Sequence, residues 1–97
     1  MSPLAVNIYA LLRTRMRFAN PALSYGDLVG ILPSPFNALD ADSPVLAIAV
    51  EEVATACRVH GLPAITAMLI VSADPANDEP VSGELTRVRS SSYPPAL

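Results

Sequence analysis

Residues 43–72 read SPVLAIAVEEVATACRVHGLPAITAMLIVS, and this stretch decides the fold. Glu51, Glu52 and Arg58 are its only residues that carry a full charge at neutral pH. A segment this apolar must bury most of its surface, because exposed apolar area is unfavourable in water. We therefore expect it to form the core of one compact domain.

A helix followed by a strand is predicted within this stretch. Ser43 and Pro44 are typical of a helix start, and the helix is expected to run to about His60. Its inner stripe has helical spacing. The stripe consists of Leu46, Ala49, Val50, Val53, Ala56 and Cys57. Gly61 stands where a C-terminal cap belongs. Residues 63–72 then alternate in a way that predicts a strand with two apolar faces.

Two further helices are predicted before the core stretch. The first begins with the cap Ser2 and with Pro3, and it ends at Asn20-Pro21. The second is short, is capped by Ser24 and extends to Leu32. A short extended piece at residues 22–24 separates the two helices, and a loop at residues 33–42 leads into the third.

The C-terminal part is predicted to complete a β-hairpin. Residues 81–89 alternate weakly and are expected to pair with the preceding strand across a polar turn at 74–80. The predicted fold class is therefore α+β, with three helices plus a small antiparallel β-sheet. Residues 1–89 form the predicted single domain, and residues 90–97 have the composition of a flexible tail.

This element order resembles that of a winged helix-turn-helix domain, in which a β-hairpin wing follows the third helix. The resemblance rests on SYGDLV at residues 24–29 and on ACRVHGLPAITA at residues 56–67. Small uncharacterised bacterial and phage proteins have a similar join of helix, Gly-Leu-Pro and apolar strand. Two features depart from the pattern: the connection between the second and third helices is long, and the predicted wing tip is acidic.

Composition limits the classes of partner. The chain has 97 residues, of which 52% are hydrophobic and 15% charged, and its formal net charge is −3. DNA-binding domains are usually basic on at least one face, so this charge disfavours nucleic acid as the partner. The uncharged runs are too short to span a membrane, and Met1 is not followed by a signal-peptide pattern. We expect a cytoplasmic protein.

The sequence contains no recognisable catalytic or metal-binding motif. One cysteine and one histidine can form neither an internal disulfide nor a metal site. Cys57 is predicted to be a small core residue, and His60 a residue favoured at a helix end. Glu51 and Glu52 are adjacent, so on a helix they point about 100° apart and cannot act as an acid–base pair. We expect no enzyme activity, no cofactor and no metal.

The basic residues are all arginines, and four of them are candidate partner-binding residues. Arg13 and Arg17 share a face near the end of the first helix, and Arg87 and Arg89 lie on the last predicted strand. Two interpretations are open. These cations could simply be solvated and favoured by the helix C-terminus. Alternatively, they form a patch that binds acidic groups or phosphate.

The acidic residues Asp74, Asp78 and Glu79 cluster in the predicted wing tip. They could serve solubility alone. The alternative is that they form a negative surface for an arginine-rich, nucleic-acid-handling partner. These three residues complete the candidate partner-binding set.

The function predicted from these features is that of a small non-enzymatic protein-binding module. Its target could be a bacterial nucleic-acid-handling defence complex, which an inhibitor encoded by a phage or mobile element would bind, as anti-CRISPR proteins do. The alternative is a winged-helix DNA-binding transcriptional regulator. A third interpretation is a homodimer that buries the apolar excess.

Overall fold

Helices form most of the computed structural model, which describes residues 1–70 and 82–97. Four α-helices are present in this part of the chain: α1 Pro3–Arg15, α2 Tyr25–Ile31, α3 Pro44–Val59 and α4 Ser82–Ser90. Short 3₁₀ helices lie at Phe36–Ala38 and Ile65–Met68. Two strands of two residues each, β1 Leu23–Ser24 and β2 Leu69–Ile70, pair in parallel, with Leu23 opposite Leu69.

The predicted fold class, α+β with three helices and an antiparallel sheet, is wrong. The returning strand is expected at residues 81–89, but the helix α4 occupies Ser82–Ser90. Most of the other predicted strand is also absent, because Ile65–Met68 is a 3₁₀ helix and only Leu69–Ile70 is extended. The described residues therefore contain no antiparallel hairpin. The predicted turn at residues 74–80 lies outside the described residues.

The starts of the first two helices follow the predicted capping chemistry. The Ser2 hydroxyl accepts a hydrogen bond from the backbone N–H of Ala5 at 3.3 Å, and Pro3 follows in the first turn. The Ser24 hydroxyl accepts from the N–H of Asp27 at 3.1 Å. Ser43 stands at the start of α3, but its side chain makes no capping bond there.

The end of α3 is a Schellman turn centred on Gly61. Gly61 has a φ of 68°, in the left-handed region. The N–H of Leu62 donates to the carbonyl of Cys57 at 2.8 Å, and the N–H of Gly61 donates to that of Arg58 at 3.0 Å. The predicted C-terminal cap is confirmed, and it directs the chain from α3 back across the core.

The core forms where α1 packs against α3; Ile65–Met68 packs on both helices, and α4 packs on Ile65–Met68. Leu28 and Val29 of α2 belong to the same core cluster. The fully buried large side chains are Tyr9, Ile8, Leu12, Leu28, Leu46, Ile65, Met68, Val53, Val88 and Cys57. The inner stripe of α3 differs from the prediction at two positions, because Ala54 is buried and Ala56 is only half-buried.

The C-terminal segment, predicted to be a flexible tail, packs on this core. Tyr93 is 5% exposed and belongs to the core cluster. Its hydroxyl donates to the carbonyl of Pro63 at 2.5 Å, and the Tyr9 hydroxyl donates to the carbonyl of Pro94. The two rings meet edge to face, with centroids 6.4 Å apart. Residues 91–97 thus connect α1 to the turn after α3.

Gly61 and Gly30 form a pair for testing the role of the left-handed turn. A Cβ at either position would find no atom within 4 Å, so backbone conformation alone should set the effect of substitution. We expect Gly61→Ala to destabilise the fold by about 1 to 2 kcal/mol, because an L-residue is strained at positive φ. Gly30→Ala, on the exposed side of α2, should stabilise it by roughly 0.5 to 1 kcal/mol.

Urea denaturation followed by far-UV circular dichroism measures both changes. Effects of the same sign would contradict the left-handed assignment.

Candidate functional site

The arginines predicted to form one patch fall into three different environments. Arg13 and Arg17 line a hollow between the end of α1 and the end of α4. Arg87 lines a separate hollow beside Pro63 and Ala67. Arg89 is engaged with the turn after α1. The acidic candidates Asp74, Asp78 and Glu79 lie outside the described residues.

Arg89 closes the C-terminal end of α1. Its Nε donates to the carbonyl of Met16 at 3.2 Å, and its Nη2 donates to the carbonyls of Phe18 and Ala19. Carbonyls in this region have no helical partner, so a cation with several donors suits them. Arg89 therefore has a structural role in joining α4 to α1.

Arg15 stabilises the same turn from the other side. Its Nη2 donates to the carbonyl of Ala22 at 3.3 Å, and its guanidinium carbon lies 4.9 Å from the centre of the Phe18 ring. The Nε of Arg15 is buried and has no hydrogen-bond partner within residues 1–70 and 82–97.

The hollow between α1 and α4 has a volume of about 240 Å³ and a mainly polar lining. Arg13, Arg17 and the serines at positions 90–92 line it, together with Met16 and Tyr93. The Nε of Arg13 donates to the carbonyl of Tyr93 at 2.9 Å, which fixes this side chain at one edge. Arg17 is exposed.

A second candidate surface, which the sequence did not reveal, is the apolar outer face of α3. Ile48 is 64% exposed and Val45 57% exposed, and Met1 lies beside Ile48. Two adjoining hollows of about 490 and 360 Å³ share Ile48 and Glu52 in their linings. We call the residues Met1, Val45 and Ile48 the α3 patch. The sequence signal for this surface is that α3 is apolar on both faces, and a helix that is apolar all round is usually covered on all sides.

Two glutamates border the α3 patch, and their carboxylates have different partners. Glu51 is 71% exposed, and its carboxylate lies 3.6 Å from the Nη2 of Arg58 in a solvated ion pair. Glu52 accepts from the hydroxyl of Ser2 at 2.6 Å and from its backbone N–H at 3.3 Å. The hydroxyl bond chiefly lowers the pKa of Glu52. Glu52 thus joins α3 to the start of α1.

Cys57 and His60 do not form a reactive pair in this fold. Cys57 is completely buried in the core, whereas His60 is exposed and its Nδ1 lies 2.9 Å from the carbonyl of Ala56. Across the described ranges, no three His, Cys, Asp or Glu side chains are grouped so that they could hold a metal ion.

Comparison of the chain with protein families, with characterised proteins and with solved structures finds no match. The winged-helix resemblance therefore stays a prediction. None of the helices in the described part combines the length and the apolar character needed to cross a membrane.

Burial of the tyrosines makes the C-terminal packing sensitive to alkali. Burial is the largest cause that raises the pKa of Tyr93 to about 12; the nearby Cys57 and Tyr9 act in the same direction, and Arg87 opposes them. Burial also raises the pKa values of Tyr9 and Tyr25. The neutral phenol of Tyr93 is therefore favoured in the folded state, where its hydroxyl donates to Pro63.

We expect the free energy of unfolding to be insensitive to Tyr93 below about pH 10, the ordinary pKa of tyrosine. Above that pH the unfolded chain loses the phenolic proton first. Stability should therefore fall as the pH rises from about 10 toward the folded pKa of about 12. Denaturation curves at a series of pH values, with tyrosinate absorbance at 295 nm, measure this fall.

Tyr93→Phe removes the titrating group and should make the alkaline fall shallower, although it also loses the hydrogen bond to Pro63. Tyr25→Phe is the comparison variant: burial raises the pKa of this tyrosine on α2 as well, but less than that of Tyr93, so its removal should flatten the alkaline fall by less. An equal alkaline slope in the Tyr93→Phe variant and the unmodified chain would contradict the assignment.

Proposed function

We propose that this protein is a non-enzymatic protein-binding module and that the α3 patch is its docking surface. The observation that carries the proposal is the exposure of Ile48 and Val45 side by side on α3, the longest of the described helices. Exposed apolar side chains beside concave surface are typical of sites where another protein binds.

The energetics support a role in binding. Full burial of a Val or Ile side chain contributes roughly 1.5 to 3 kcal/mol. Ile48 and Val45 retain more than half of their exposure in the folded chain, so much of that free energy is still available to a partner. The inner face of the same helix is buried against α1, so the patch is held on a rigid element.

The charges beside the patch indicate the chemistry of the partner. Glu51 is highly exposed, and its only ion pair among the described residues is the solvated contact with Arg58. A partner that presents apolar side chains flanked by an arginine or lysine would match this surface. The net charge of −3 favours a basic partner in the same way.

A more specific form of the proposal is that the partner is a bacterial nucleic-acid-handling defence complex. Such complexes have basic surfaces, because they bind phosphates. This form rests on the small size and acidity of the chain and on the acidic residues Asp74, Asp78 and Glu79, which lie outside the described residues.

The alternative, a DNA-binding regulator, has less support. Arg89 and Arg15 donate to backbone carbonyls, which leaves fewer arginines for phosphates. The start of α3 would have to read bases, yet it presents Val45 and Ile48 and is preceded by the exposed Asp40 and Asp42.

Two substitutions of an exposed isoleucine by arginine test the docking surface. Ile48→Arg places a charge in the α3 patch, whereas Ile31→Arg changes an isoleucine that is 50% exposed on α2. We expect Ile48→Arg to weaken partner binding by about 2 kcal/mol or more, roughly 30-fold, as loss of a central interface residue does. Ile31→Arg should bind normally.

Tagged forms of the unmodified chain and of the two variants are incubated with a bacterial lysate, and the captured proteins are compared by quantitative mass spectrometry. Binding to the purified partner is then measured directly. Capture that is unchanged by Ile48→Arg, or reduced equally by both variants, would contradict the proposal. Light scattering that shows a homodimer dissociated only by Ile48→Arg would instead assign the patch to a second copy of the chain.

A further inference from the structure

The hollow between the ends of α1 and α4 is distinct from the α3 patch and has a different character. Its charged lining residues are Arg13, in the last turn of α1, and Arg17, in the turn that follows the end of this helix. On the opposite side are Ser90, Ser91 and Ser92. No acidic side chain lines the hollow among the described residues.

The two cations are not neutralised by their described surroundings. Arg13 uses its Nε for the carbonyl of Tyr93, and its terminal nitrogens make no further bond to described residues. The side chain of Arg17 makes no hydrogen bond or ion pair with them either. Within residues 1–70 and 82–97, the ion pair between Arg58 and Glu51 is the one that forms, and it lies on α3.

The ends of two helices meet here, and helix C-termini carry partial negative charge that would oppose an anion. Other side chains of the protein reduce that effect. Arg89 donates to carbonyls of the turn after α1. The hydroxyls of Ser90 and Ser91 donate, each at 2.8 Å, to the carbonyls of Thr86 and Arg87. These carbonyls therefore do not take hydrogen bonds from Arg13 or Arg17, and the positive charge of the two arginines remains available to an anion.

We propose that this hollow binds a phosphate group, with Arg13 and Arg17 as its ligands. Guanidinium groups match phosphate in geometry and charge, and two of them can share its oxygens. The Ser92 hydroxyl donates to no other described residue, so it is a further donor at the rim. The volume of about 240 Å³ lies below the roughly 300 Å³ at which pockets for drug-sized ligands begin. A single terminal phosphate with a small substituent fits this space.

The test is a titration of the full chain with inorganic phosphate and, separately, with O-phosphoserine, with serine as the unphosphorylated control. Isothermal calorimetry at low ionic strength, in a buffer free of phosphate, measures the affinity. The Nε–H resonances of the arginines, followed by NMR, show which side chains respond. Inorganic phosphate represents the free ion, and O-phosphoserine represents a phosphate monoester.

Arg17→Gln and Arg58→Gln are the variants, since each removes one exposed arginine and changes the net charge equally. Because the side chain of Arg17 makes no bond to a described residue, its replacement should leave the fold intact, which far-UV circular dichroism checks. We expect Arg17→Gln to weaken phosphate binding about tenfold or more, as loss of a charge-assisted hydrogen bond does. Arg58→Gln should leave it unchanged.

Binding of both phosphate compounds, or of O-phosphoserine but not serine, supports the proposal if Arg17→Gln weakens it selectively. Absence of binding by both compounds would overturn it. Equal weakening by both variants would also overturn it, because general surface charge would then be responsible. The α3 patch is not involved, so the result is independent of the protein-docking proposal.

Discussion

The packing of α1 against α3 is the contact on which the rest of the structure depends. Ile8 and Leu12 from α1 and Leu46 and Val53 from α3 are completely buried. The segment Ile65–Met68 packs on both helices, and α4 packs on that segment. The sheet among the described residues is one pair of two-residue strands, too small to replace this helix contact. The hydrogen bonds from Ser2 to Glu52 also join these two helices, between residues 50 positions apart in the sequence. Their packing also fixes the outer face of α3 as a rigid surface.

The helical part of the fold could be predicted because its signals are local. Ser2 and Ser24 each form the predicted cap, and Gly61 has the predicted left-handed conformation. Each of these features depends on residues within one turn of the helix. The predicted end of α1 was less accurate, since the helix ends at Arg15 and turns cover the residues up to Asn20.

The strands could not be predicted correctly because a short apolar run fits both the helical period and the two-residue period of a strand. Ile65 and Met68 are both fully buried and are three residues apart, which is the spacing of a helical turn. The alternation of residues 63–72 concealed this. In α4 the weak alternation was equally misleading. Among residues 86–90, for which the structure describes burial, Val88 is buried and the arginines beside it are exposed.

The candidate sites show a similar limit. Sequence position can group Arg13, Arg17, Arg87 and Arg89. It cannot show which of these side chains will donate hydrogen bonds to backbone carbonyls. Arg89 contacts residues some 70 positions away, so only the folded chain reveals its structural role. Likewise, the apolar residues of α3 divide into a buried face and the α3 patch only when the position of α1 is known.

The complete burial of Cys57 has a practical consequence for studying the fold. It is the chain's one cysteine, and its thiol lies in the packed interior rather than at the surface. A thiol-modifying reagent can reach the sulfur only when the helices separate. The rate of its modification would therefore follow the rare opening of the native protein, with no introduced label. The modification rate of Cys57 thus reports how often the interior of the natural chain opens to solvent.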